Sequence, residues 1–223
     1  MATLSPSTED GRLYAASSAW ATTRNYTSAT AVTKTNSFLS NAIASVKQAA
    51  RGGAYTYYIS RTCFTFDTSG ITSSVSSADL KIYGAYVSDA DFFVVKSAHN
   101  DTLVAADIDA ITGWDASDTA DGSGAGDQES RVTKYSTEVT SFNSSAYNTI
   151  ELNAQARSDI ESDASFKVCL IESVHDLRDI APTGFNRTGV SFMEYTGTSR
   201  DPYLEYTVAV AVTDNATFFG ANF

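Results

Sequence analysis

Four aspartates, Asp115, Asp118, Asp121 and Asp127, fall in one run of small residues that begins at Trp114. Carboxylates gathered in one loop are the hard oxygen ligands that Ca²⁺ takes. These four are therefore the candidate metal site; no cofactor is otherwise expected, and Ca²⁺ is the one ion the sequence offers. The spacing departs from the EF-hand loop, where acids alternate and a distant Glu closes the site. The run also lacks any apolar period, as an exposed, solvated loop would. His99 and His175 have no helical i,i+4 partner and no Gly-x-Ser-x-Gly elbow beside them, so both read as surface or loop histidines. No glycine-rich loop opens a helix to cradle phosphate. Paired carboxylates arise by chance in so acidic a chain, and the five Asn-x-Ser/Thr triplets, Asn25-Tyr-Thr and Asn100-Asp-Thr among them, follow from its Ser and Thr content. The expectation is a protein that is not an enzyme. Cys63 and Cys169 lie in predicted strands and can be free buried thiols, a disulfide or metal ligands; no Cys-x-x-Cys or nearby His supports metal.

The element that must position most of this is the stretch 55–69, aromatic and β-branched, free of Pro and Gly and bracketed by Gly52, Gly53 and Gly70. It predicts a long central strand. Alternation puts Tyr58, Ser60, Thr62, Phe64 and Phe66 on one face and Tyr57, Ile59, Arg61, Cys63 and Thr65 on the other. Further strands are expected near 79–87, 91–97, 131–139, 149–152, 166–173, 189–195 and 203–212, with a weak one in 26–35. Leu39, Ile43, Val46 and Ala50 recur at helical spacing, which predicts a helix within 37–52. Asn153 is placed to cap a short helix through Ile160, and 102–111 offers another short amphipathic turn. Phe66, Leu80, Phe93, Leu170 and Leu204 are expected to share one core. About ten strands with one to three short helices describe an all-β, two-sheet antiparallel sandwich of jelly-roll type. Residues 1–10 read as a loose arm, 11–212 as one domain, and 213–223 as a tail whose Phe218, Phe219 and Phe223 are candidate assembly residues.

The chain has 223 residues, 43% of them hydrophobic, enough for a sizeable core without metal or disulfide. Its net charge of −11 argues against a nucleic-acid partner. No apolar run reaches the roughly 20 residues of a membrane helix, and the N-terminus shows no signal segment, so the expectation is a protein that stays where it is made or leaves within a larger assembly, without membrane insertion.

Several phrases stand in a particular order: Arg61-Thr-Cys-Phe-Thr-Phe-Asp-Thr-Ser-Gly-Ile71, Ser77-Ala-Asp-Leu-Lys-Ile-Tyr83, Lys167-Val-Cys-Leu-Ile-Glu172, Pro182-Thr-Gly184 and Tyr195-Thr-Gly-Thr-Ser-Arg-Asp-Pro-Tyr-Leu-Glu205. Over about residues 10–208 the chain resembles DNRLRE-type domains, jelly-roll sandwiches similar to carbohydrate-binding modules, and most closely those of tailed-phage and environmental-virus structural proteins. The resemblance implies no catalytic residues. It implies an extended segment ahead of Tyr55, which confines the expected helix to the Leu39–Val46 turn. It also implies a virion structural protein, a capsid decoration or tail-fibre subunit at the virion surface, whose partners are other virion proteins and copies of itself. The other function it implies is an adhesin that binds polysaccharide. For that role Trp114 and Tyr86 are the candidate residues, because aromatic faces stack on sugar rings.

Overall fold

In a computed structural model, which describes residues 1–34, 38–192 and 198–209, the chain forms eleven strands. They are β1 (Ala2–Leu4), β2 (Gly11–Ser17), β3 (Ala31–Thr33), β4 (Phe38–Ala49), β5 (Tyr55–Asp67), β6 (Val75–Ser88), β7 (Phe92–Lys96), β8 (Tyr147–Glu151), β9 (Ser165–Glu172), β10 (Phe185–Ser191) and β11 (Tyr203–Val208). Helices α1 (Trp20–Arg24) and α2 (Ala154–Ser162), with short 3₁₀ and π turns, fill connections. Asn153 caps α2 as its sequence position predicts, its side chain accepting from the Ala156 N–H at 3.0 Å.

All the ladders are antiparallel, and they join in one open sheet that folds over on itself as a sandwich. The fold follows from strand length. β5 is about twice a typical strand, and it changes partner along one side: residues 55–60 pair with β4, residues 62–67 with β9. Its other side pairs with β2 over residues 57–63. β6 forks in the same way, pairing with β11 and β8 over its first part and with β10 near its end. The layers diverge at these forks. Between them lies the main core, with Phe64 and Phe66 from β5, Leu80 and Ile82 from β6, Ile150, Leu170, Val190 and Leu204.

The opposite face of β5 is buried too. Ile59 and Cys63 join Leu13, Trp20, Phe93, Val95, Ile108, Cys169 and Ile171 in a second cluster beneath the long connections 97–134 and 173–184. The shared core holds four of its five expected members. Phe93 belongs to the second cluster, because β7 is covered on both sides and it is Phe92 and Val94 that point inward. Cys63 and Cys169 are unbridged and stand directly opposite each other. The Lys167 carbonyl accepts from Ser97 and the Thr65 carbonyl from Ser7, so both cysteines turn their own backbone groups to outer neighbours, and theirs is a non-hydrogen-bonded pair.

Three local expectations are corrected. The segment read as a helix is strand β4. Residues 42–46 are buried without a break between β5 and β10, so the polar half of an alternating pattern is missing and a helical spacing appears by accident. The expected strand 131–139 is an irregular run along β7, tied only through isolated bridges at Lys134 and Val139. The N-terminal arm is pinned: β1 pairs with β11, and Pro6 bridges to Phe66. Phe218, Phe219 and Phe223 lie outside the described residues. Gly52 and Gly53, both at positive φ, turn β4 into β5, a conformation that costs glycine nothing.

Candidate functional site

Because β5 alternates, each face of the strand carries its own polar cluster. On the odd face sits Arg61, wholly buried. Its Nε and Nη2 donate to the two Asp176 carboxylate oxygens at 2.8 and 2.7 Å, and Nη1 donates to the Ile108 carbonyl. Burial opposes the Arg61 charge, but Asp176 more than offsets it and holds the guanidinium pKa above its ordinary value. Arg24, equally buried, donates to the Asp176, Leu177 and Gly126 carbonyls. Burial lowers its pKa, against the pull of Asp176 and Asp179. Asp179, at φ 56°, accepts from Trp20 Nε1 and from the backbone N–H groups of Asp121, Gly122 and Gly126. Glu172 accepts from three successive N–H groups, residues 174–176, while burial raises its pKa. These charged groups pin the long loops onto the sheet, and none lacks a partner.

Trp114 and the four aspartates lie in or around this region. Trp114 is half-buried, with the guanidinium carbons of Arg61 and Arg24 at 4.1 and 4.8 Å from its ring centroid, so its π-surface already holds cations. The four aspartates do not converge on a metal: among the described residues no three acidic, His or Cys side chains form such a group. Each instead secures its own turn. Asp115 accepts from the N–H and Oγ of Ser117, and Asp121 does the same with Ser123, which lowers both pKa values. Asp118 meets Arg131 at 2.6 Å, and Asp127 accepts from the Glu129 N–H. The calcium expectation is thus corrected, and Asp-x-Ser was the signal for local turns. His99, expected at the surface, is buried between Thr65 Oγ1 and Ser97 Oγ, each at 2.8 Å, and burial first, then Lys167, lowers its pKa to about 4. Tyr86 is 70% exposed at φ 67°, on the separate surface of Tyr83, Ser144 and Arg200.

On the even face of β5, beyond Phe64 and Phe66, the sheet is uncovered. Strands β2, β5, β4 and β10 lie side by side there and line a groove of about 350 Å³. Register gives its profile. Tyr14, Ser60, Ala44 and Arg187 form one row across the strands, and Ala16, Tyr58, Val46 and Phe185 the next. Small Ala44 and Val46 on the middle strand make a trough. Tyr14 and Tyr58 rise on one side, stacked at 5.6 Å, and Phe185 and Arg187 on the other. Burial, then the neighbouring Tyr58, raises the Tyr14 pKa. The trough runs beside β4 from Asn41 to Gln48, about 23 Å at 3.3 Å per residue.

The polar groups here are not all satisfied. The Ser60 side chain is 1% exposed, yet its Oγ has no hydrogen-bond partner. Arg12 Nε and Arg187 Nε are likewise without one. Arg12 reaches over Tyr14 to donate to Asn41 Oδ1 at 2.8 Å, which fixes that amide at the groove's end. No Asp or Glu lines the groove among the described residues. Aromatic walls, the small Ala44 and Val46, two amides, hydroxyls and the Arg187 guanidinium are groups that can hold a polar, ring-containing ligand. Tyr58 and Ser60 share the parity of Phe64 and Phe66, so their direction was legible; what was missing was that the core ends before the strand does.

No protein-family model matches the chain, and no curated protein matches it either.

Proposed function

We propose that this protein is a non-catalytic module that binds a glycan in the trough over β4, between the Tyr14–Tyr58 wall and the Phe185–Arg187 wall. The observation that carries the reading is the combination of the half-buried Tyr14–Tyr58 wall and the exposed Phe185 with the unpartnered Ser60 hydroxyl at the floor. Sugars offer apolar ring faces to aromatics and dense hydroxyls to such donors and acceptors. The adhesin role keeps its chemistry but moves from Trp114 and Tyr86 to Tyr14, Tyr58, Ser60 and Gln48. The test is a glycan array probed with the wild type and with Tyr58→Ala. Binding that the substitution abolishes supports the reading; no binding at all, or binding indifferent to Tyr58, overturns it.

A second reading, a virion structural subunit in a capsid decoration or tail fibre, is favoured by the sheet edge at β1, which among the described residues pairs only with β11. Such an edge can accept a strand from another copy or another virion protein. The tyrosines Tyr83, Tyr147 and Tyr203, packed edge to face at 5.3 and 5.4 Å on the adjoining strands, add a surface for it. The two readings are compatible, since an adhesin must be mounted on something. Mass spectrometry of purified particles decides the second: the protein is expected in the particle, and its presence only free in host cytoplasm would contradict it.

A further inference from the structure

The chain carries 26 acidic against 15 basic residues. Some of its arginines meet a carboxylate. Arg24, Arg61, Arg131 and Arg178 each meet one, at 3.9, 2.7, 2.6 and 3.0 Å. Arg12 and Arg187 are partly buried and meet none among the described residues. They stand on opposite sides of the trough: Arg12 pairs in register with Thr62 on the β2 side, Arg187 with Ala44 on the β10 side.

Both guanidinium groups are held in place by other means. Arg12 lies 5.2 Å from the Tyr14 ring centroid and donates to Asn41 Oδ1 and Thr33 Oγ1. Arg187 lies 5.3 Å from the Phe185 ring centroid. Each keeps an Nε without an acceptor. Burial lowers the Arg12 pKa, against a smaller opposing pull from Tyr14. Arg187 lines a trough that no Asp or Glu lines among the described residues, and Arg12 stands beyond its Asn41 end, so the groove has a local positive side on a protein of net charge −11. A planar guanidinium presents paired donors that match carboxylate, sulfate and phosphate oxygens.

We infer that the groove selects an anionic glycan, a saccharide bearing carboxylate, sulfate or phosphate groups that Arg187 binds, with Arg12 positioning Asn41 and adding positive charge beyond that end of the trough. This rests on the glycan reading, and adds the charge of the ligand to it. It also gives the acidity of the rest of the surface a consequence: the polymer is repelled everywhere except at the groove, so binding is directed there.

The experiment uses the intact chain against a panel of immobilised oligosaccharides: neutral, uronate-bearing, sulfated and phosphorylated. Binding is expected only to charged members, and which of the three groups is bound names the source. For the strongest binder, affinity should fall as salt rises from 50 to 200 mM. Arg187→Gln should weaken it roughly tenfold or more, as loss of a charge-assisted hydrogen bond does, with an unchanged circular dichroism spectrum. Arg187 lies on the sheet surface and its replacement leaves the core intact; the salt series gives a second reading without any substitution. Binding to neutral members alone, abolished by Tyr58→Ala, overturns the inference and leaves the glycan reading standing. Binding to charged members that neither salt nor Arg187→Gln weakens also overturns it. Binding to no member defeats the glycan reading, and the inference with it.

Discussion

The two faces of β5 carry equally polar residues and use them in opposite ways. On the odd face, Arg61 is sealed from water, and Asp176 and a backbone carbonyl take up its donors. On the even face, Ser60 is just as inaccessible but its hydroxyl is unpartnered, and Tyr58 stands beside an open trough. Burying a polar group without a partner costs on the order of 1–3 kcal/mol. A closed cluster avoids that cost with its own groups and so contributes to the fold. An open one leaves it for a ligand to relieve. The difference separates a structural clamp from a binding site more sharply than residue type does. By type alone, Trp114 and the aspartates look the more functional set; Trp114 Nε1 is buried without a partner as well, but it is Ser60 that lines the open trough.

Removing one partner from the closed side should have the largest effect. Arg61→Ala leaves Asp176 buried and uncompensated, and is expected to cost about 3–5 kcal/mol of unfolding free energy, measured by urea titration. A loss below about 1 kcal/mol would mean that the odd face is not a clamp. Exchanging the pair for apolar residues, Arg61→Met with Asp176→Leu, should cost much less than the single change, because no isolated charge remains.

Acid should act on the same face. The His99 pKa is depressed to about 4 in the folded chain, against an ordinary 6.5. Between those values the unfolded chain binds more protons, so stability is full above pH 6.5 and falls as pH drops towards 4. The loss approaches about 3 kcal/mol at 1.36 kcal/mol per pH unit. His99→Gln, which keeps hydrogen-bonding capacity and loses the titration, should flatten that part of the stability profile relative to the wild type. Parallel profiles would show that His99 is more open to water than its contacts to Thr65 and Ser97 indicate.

The smallest effect concerns Cys63 and Cys169, also on the closed face. A non-hydrogen-bonded cross-strand pair brings Cα atoms to about 4.5 Å, within the range a disulfide spans, yet the thiols are free. Unfolding in an alkylating reagent without reductant should add two labels, and reductant should leave the melting temperature unchanged. No label would mean that the pair is bridged.

Much of the fold was legible because the physics is local. Alternation in 55–67 assigned both faces of β5, and Asn153 announced α2. Where burial erased the pattern, reading failed. β4 is covered along residues 42–46, so Leu39, Ile43, Val46 and Ala50 imitate a helix; β7 is apolar along residues 92–95, so Phe93 and Phe92 could not be told apart. The groove was hidden for a further reason. It needs Tyr14, Ser60, Ala44 and Arg187 in one row, and only strand pairing brings together residues so far apart in the chain. The small residues that hollow it out sit in the segment that read as a helix. Arg61 was visible on its face, but Asp176 lies 115 residues away.

The account turns on which face of the sheet meets ligand. The most direct test is an amide chemical-shift map of the ¹⁵N-labelled protein, titrated with the tightest-binding oligosaccharide from the panel. Shifts are predicted along the trough, at Tyr14, Asn41, Ala44, Gln48, Tyr58, Ser60 and Arg187, while Arg61, Trp114 and Asp176 stay still. Shifts centred on Trp114 or on the Tyr83–Tyr86 surface, with the trough unmoved, would contradict it.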